Sequence, residues 1–172
     1  IDLGRIEAIL PSEEQIPHER YRQGERIKAY IMDVKKTTKG PQIIVSRANP
    51  GFLKRLFEME VPEIFDGIVE IHGVAREAGN RSKLAVSSTN DDVDPVGACV
   101  GPRGTRVQAI SNELRGEKID IVKWSEEDEE FIANALSPAK VVSVKVNQNQ
   151  RSASVVVPDN QLSLAIGKEG QN

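Results

Sequence analysis

Two glycine-bearing stretches constrain this chain more than any other feature. Val100-Gly101-Pro102-Arg103-Gly104-Thr105-Arg106-Val107 follows a brief apolar run that opens at Asp94-Pro95. Leu164-Ala165-Ile166-Gly167-Lys168-Glu169-Gly170 repeats the arrangement 66 residues later. Gly-x-x-Gly between helical segments lets the chain turn sharply with no Cβ in the way, and lets another backbone come close. The start of the following helix has unpaired N–H groups and a positive dipole end, a corner suited to a phosphodiester. Arg103, Arg106 and Lys168 add charge-assisted donors beside it. A single such stretch reads as a helix–helix turn; two of them point to a repeated unit.

The flanks bear this out. Phe52, Leu53, Leu56 and Phe57 fall at helical spacing over 51–60. After a turn at 64–67, Ile68 to Arg76 alternates as a strand, with a bulge at Gly73. Ala78 to Arg81 is a hairpin loop, and Lys83 to Ser88 the return strand. Asp94 caps the next helix and Pro95 suits its first turn. Val107, Ile110 and Leu114 make the buried stripe of the helix after the glycine corner. Gly116 ends that helix, and Lys118 to Trp124 alternates as a third strand. The order then restarts. Ser125-Glu126-Glu127-Asp128 reads as a capping box, and Phe131, Ile132, Ala135 and Leu136 give a helical apolar face that ends at Ser137-Pro138. Strands follow at 141–146 and 152–157, then a helix at 162–166 that runs into the second corner. Arg81-Ser82 matches Arg151-Ser152. The second copy stops at Asn172, where the helix after its corner should begin.

Residues 1–50 read as all-β. Ile27 to Val34 and Gln42 to Ser46 form a hairpin across a polar, basic turn from Lys35 to Gly40. Ile6 to Pro11 is a third strand. Lys35, Lys36 and Lys39 are candidate phosphate contacts, against a solvated hairpin tip. Tyr21 and Tyr30 read as core or turn packing rather than base-stacking residues. Asn49-Pro50-Gly51 is a linker.

The formal charge is −3, from 23 basic and 26 acidic residues. Residues 1–50 carry +2, 51–125 carry −2 and 126–172 carry −3, so a polyanion must be held by a local face rather than by global charge. Cys99 is the only cysteine. It admits no intrachain disulfide and no thiolate metal site; it reads as core packing, and a reducing cytosol fits. His72 is isolated, and the Asn90–Asp94 cluster reads as a helix cap rather than a metal loop. No metal, no cofactor and no membrane span is expected. No catalytic constellation is visible, so the chain is not expected to be an enzyme.

Leu10-Pro11, Tyr21-x-x-Gly24-Glu25 and Ser46-Arg47 resemble the later part of an S1 domain, a small OB-type barrel that binds RNA. The two helix-strand-strand-helix-GxxG units resemble KH domains of the bacterial, type II topology. The expected fold is α+β with an all-β module. It comprises a partial S1 (OB-type) barrel at 1–50, a first KH domain at 51–125 and a second, incomplete at its end, at 126–172. This order of modules resembles the NusA family of bacterial transcription elongation and termination factors. The resemblance implies a cytoplasmic protein that binds single-stranded, nascent RNA at RNA polymerase, with other transcription factors as further partners, and that modulates pausing, termination and antitermination. RNA would lie along grooves walled by Val100, Val107 and Ile166. Gly101, Pro102, Gly104, Gly167 and Gly170 would lie against the backbone, Arg103, Arg106 and Lys168 would meet phosphates, and Glu169 would set an anion in the second corner. Two alternatives remain at this stage: the RNA-binding region of an exoribonuclease such as polynucleotide phosphorylase, and a KH-based protein-interaction scaffold.

Overall fold

A computed structural model describes all residues, 1–172. In the amino-terminal module, β1 (Ala8–Ile9), β2 (Tyr30–Thr37) and β3 (Gly40–Ser46) form one sheet in the order β1-β3-β2. β2 and β3 are antiparallel, and β1 joins β3 in parallel over two residues. The strand expected from Ile6 to Pro11 is thus shortened to Ala8–Ile9, and the sheet stays at three strands. The basic turn is shorter than expected too. Thr37 pairs with Gly40, and the Thr37 hydroxyl accepts from the Lys39 N–H while donating to the Gly40 carbonyl. That closes the hairpin at Thr38-Lys39 and leaves Lys35 and Lys36 on strand β2 rather than in a loop.

The first repeated unit holds most of the core. Helix α1 (Pro50–Glu60) starts where the Asn49 side chain accepts the Gly51 N–H, and buries Phe52, Leu53, Leu56 and Phe57. A short helix α2 (Pro62–Phe65) occupies the expected turn. β4 (Val69–Glu77) and β5 (Arg81–Ser88) pair antiparallel, with the register shift between Ile71 and Gly73 where the bulge was expected. Helix α3 (Pro95–Val100) is capped by Asp94, whose carboxylate accepts the Val96 N–H at 3.1 Å. Helix α4 (Thr105–Glu113) leads through Arg115 and Gly116, both at positive φ, into β6 (Lys118–Lys123), which lies parallel to β5. Leu84 and Val86 of β5 face these helices and pack with the α1 residues, Cys99, Ile110 and Leu114. Each such side chain removed from water stabilises the unit by about 1.5–3 kcal/mol.

The opposite face of the same sheet carries the second unit. Helix α5 (Asp128–Ala135) brings Phe131 and Ala135 over Ala75, Ala85 and Val122, around a cavity of 310 Å³. Lys83 ties the units together: its Nζ donates to the Ala135 carbonyl at 2.7 Å and to Asn172 Oδ1 at 2.6 Å, and reaches Asp120 at 3.4 Å. Helix α5 begins later than a capping box at Ser125 requires. Ser125 Oγ accepts the Glu127 N–H and donates to Glu130, so the hydroxyl closes a local turn and Glu127 takes the cap position without a side-chain bond. β7 (Ser143–Asn147) and β8 (Ser152–Val156) form an antiparallel pair, and helix α6 (Leu162–Ile166) leads to the second corner.

A buried ionic network locks the amino-terminal module onto the first unit. Arg47, 1% exposed, donates to both Glu19 oxygens, to the Lys28 carbonyl, and to the side chain and carbonyl of Glu113. Its own carbonyl accepts from Arg76, whose Nε and Nη2 pair with the two oxygens of buried Glu117 at 2.9 Å. The Phe52 ring lies beneath both guanidinium groups, 5.2 Å from Arg47 Cζ and 5.9 Å from Arg76 Cζ. Burial would push the Glu19 and Glu117 carboxyls up. Hydrogen bonds from Arg47 and Tyr21 in the first case, and from Arg76, Ser82 and the Gly79 N–H in the second, outweigh it and hold both below the usual carboxylate range.

Candidate nucleic-acid interface

The two corners follow one backbone path. Gly101 sits at φ 76, ψ 170 and Gly167 at φ 74, ψ 176. Arg103 and Glu169, two residues on, both enter the left-handed region at φ 53, ψ 27 and φ 55, ψ 28. Gly104 and Gly170 close the turns at φ 75 and φ 72, and their N–H groups donate to the Gly101 and Gly167 carbonyls. Neither first glycine tolerates a side chain. A Cβ on Gly101 would lie 2.6 Å from Arg106 Cγ, and one on Gly167 would lie 3.0 Å from Asn172 Cβ.

The equivalence extends to the residue that closes each corner. Arg106 Nη1 donates to the Ala98 carbonyl at 2.7 Å, and Asn172 Nδ2 donates to the Leu164 carbonyl at 3.3 Å. Both pairs have the same spacing within their repeats. Arg106 also pairs with Glu63 at 2.8 Å. Nη1 of Arg106 is thus engaged within the chain, and the side chain braces the corner from behind. Arg103 and Lys168 are exposed and carry no ion pair or side-chain hydrogen bond. They are not equivalent, however. Lys168 stands where the first corner has Pro102, and Glu169 stands where it has Arg103.

The expected walls differ in the same way. Val107 packs against the core of the first unit and Val100 is half-buried, whereas Ile166 is 51% exposed. Lys35, Lys36 and Lys39 are exposed on the amino-terminal hairpin, a different module from either corner, and Lys35 lies 3.6 Å from Asp33. Cys99 is fully buried, and burial pushes its thiol up to about 12. Trp124 stacks on His72, with ring centroids 3.8 Å apart, and His72 Nε2 lies 2.7 Å from Ser87 Oγ. Arg47 joins two modules through Glu19 and Glu113, and nothing local in the sequence foretells that role.

A helix, two antiparallel strands, a helix, a glycine corner, a second helix and a parallel third strand make a KH domain with the type II order of elements. The partial repeat makes this a tandem KH protein. Family models agree in detail: the NusA-like first KH domain matches residues 47–124, and the NusA-like second KH domain matches residues 128–172. The chain belongs to the NusA family. Over all 172 residues it is 66% identical to the transcription termination/antitermination protein NusA of Halalkalibacterium halodurans, 65% to that of Bacillus subtilis and 54% to that of Thermus thermophilus. It covers 45%, 46% and 44% of those proteins, so it spans just under half the length of the curated relatives it matches. Among solved structures, the crystal structure of APE1850 matches at a TM-score of 0.52 and 21% identity, over 69% of this chain and 80% of that one. That likeness shows the fold alone.

Proposed function

We propose that this chain is the single-stranded RNA-binding portion of a bacterial transcription elongation factor, acting on nascent RNA at RNA polymerase to modulate pausing, termination and antitermination. One observation supports this above the rest. The chain builds the same side-chain-free corner twice, with matching backbone angles, and leaves one cation unpaired at each, Arg103 and Lys168. RNA backbone passes close to Gly101 and Gly104 and to Gly167 and Gly170, with about four nucleotides held per KH unit. Val100, Val107 and Ile166 face the bases. Lys168 holds the strand at the second corner, where Glu169 weakens the grip relative to Arg103. The rigid joint through Lys83 makes the two weak sites act as one, which raises avidity by about 10²–10⁴ over either alone. The chain works as a binder, with RNA polymerase and other transcription factors as partners of the longer protein, in the cytoplasm.

The double variant Arg103→Asp/Lys168→Asp tests the reading. Fluorescence anisotropy with single-stranded RNA of about eight nucleotides, two KH footprints, should show at least about tenfold weaker binding and a shallower salt dependence. Unchanged affinity in a folded double variant rejects the corners as the site.

A further inference from the structure

We infer that the cleft between the amino-terminal module and the first KH domain, lined by His18, Arg20, Arg22 and Arg115, is a further phosphate site that takes the sugar-phosphate backbone of the same RNA strand. The inference rests on the reading of the chain as an RNA binder. The cleft has a volume of 650 Å³ and no apolar lining residue; the rest of its wall is Gln23, Gly24 and Glu25. Three guanidinium groups face one carboxylate there, in a chain whose overall charge is −3.

The arrangement follows from an alternation that the fold imposes. Glu19 and Tyr21 turn inward: Glu19 is held by Arg47, and the Tyr21 hydroxyl donates to Glu19 and accepts from the Ile16 N–H. In extended chain, residues that alternate with inward-facing ones point out, as Arg20 does between Glu19 and Tyr21 and Arg22 does just after Tyr21. Arg20 and Arg22 accordingly stand at the surface, and neither side chain has an ion pair or hydrogen bond within the chain. Arg115 enters from the other module, at φ 54 just beyond α4. It is steered by Glu19 at 3.3 Å and Glu25 at 2.8 Å. The one carboxylate in the wall is thereby engaged by Arg115, which leaves Arg20 and Arg22 free for an anion. The base beneath them is the buried Glu19–Arg47–Glu113 network, so the site needs little ordering to form.

With no apolar wall to hold a base or an alkyl chain, charge is what this cleft recognises, and a phosphodiester is the ligand that offers it along a strand. The cleft is also placed to meet one. Gly104 precedes α4 and Arg115 follows it, so corner and cleft lie roughly 16 Å apart along the helix at about 1.5 Å per residue. A strand clamped at the first corner reaches the cleft only when it extends some nucleotides beyond the KH footprint.

The test compares the 172-residue chain with Arg20→Glu/Arg22→Glu, using single-stranded RNA of about 8 and about 20 nucleotides. The longer RNA should bind the variant on the order of tenfold more weakly, and its salt slope should fall by about 0.7 for each phosphate that is no longer neutralised. The shorter RNA should bind both proteins equally. Equal affinity of both proteins for the longer RNA overturns the inference, as does an equal loss at both lengths. If the variant unfolds, Arg20→Gln/Arg22→Gln takes its place and must reproduce the change in slope; an unchanged slope overturns the inference in the same way. Arg20→Lys/Arg22→Lys keeps both charges and should restore binding of the longer RNA. Failure of the glycine corners is distinguishable: there the unaltered chain does not bind the shorter RNA, while the longer RNA still reports on the cleft. No binding at either length rejects both.

Discussion

Replacing Gly101 with alanine probes the first corner without removing any charged group. At φ 76, ψ 170 the residue lies in a region that only glycine enters freely, and an L-residue there costs about 1–3 kcal/mol. The new Cβ would also lie 2.6 Å from Arg106 Cγ and 2.9 Å from Arg106 Cβ. Arg106 cannot yield without giving up its bond to the Ala98 carbonyl, about 1 kcal/mol. It would also lose its pairing with Glu63; with side chains 25% and 30% exposed, that pair contributes at most about 1 kcal/mol. The expected loss is therefore about 2–5 kcal/mol. Gly104→Ala is the internal comparison. Gly104 sits at φ 75, ψ 14, with no atom within 4 Å of a built Cβ, so only the left-handed backbone penalty of about 1–2 kcal/mol applies. Urea unfolding followed by the fluorescence of Trp124, the sole tryptophan and one stacked on His72, measures both. Equal costs for the two substitutions would refute the argument that Arg106 closes the corner from behind.

Two further outcomes follow from the joints between modules. Glu117→Gln strands Arg76 without its counter-charge in a fully buried site and should cost about 3–5 kcal/mol in urea unfolding. Because the folded carboxyl is held below its unfolded value, the stability it contributes is present above an unfolded pKa of about 4.3 and is lost as pH falls through the lower folded value. The urea midpoint of the unaltered chain should thus fall below about pH 4–5 more steeply than that of Glu117→Gln; parallel curves would contradict this. Lys83→Met removes the bonds to Ala135 and Asn172 that fix the second KH domain. Binding of RNA of about eight nucleotides should weaken while binding of about four stays unchanged, and equal affinity at eight nucleotides would show that the joint does not carry the avidity.

Much of the fold is legible from short-range pattern. Phe52, Leu53, Leu56 and Phe57 at helical spacing mark the α1 face, Asp94-Pro95 marks the start of α3, and Gly73 marks the bulge in β4. These features depend on neighbours within a few residues, where chain geometry alone decides. The site residues divide along the same line. Both corners are visible because glycine is required wherever φ and ψ enter its private regions, and that requirement is local. The unequal use of the corner arginines is not visible, because Arg106 is bound by Glu63, 43 residues away. Lys35 and Lys36 fall on a strand rather than in the expected turn because a single hydroxyl, that of Thr37, tightens the hairpin.

The amino-acid order alone determines that this chain repeats one KH-type unit and where its two bare corners fall, since backbone freedom and apolar periodicity are written residue by residue. Tertiary structure alone decides which cations stay free. Arg47 and Arg76 disappear into a buried network, Arg106 is turned to bracing, and Arg20 and Arg22 are pushed outward by the anchoring of Glu19 and Tyr21. A charge pairs with whatever carboxylate or carbonyl the completed fold brings within about 3–4 Å, and partners 28 to 66 residues apart leave no trace in local sequence.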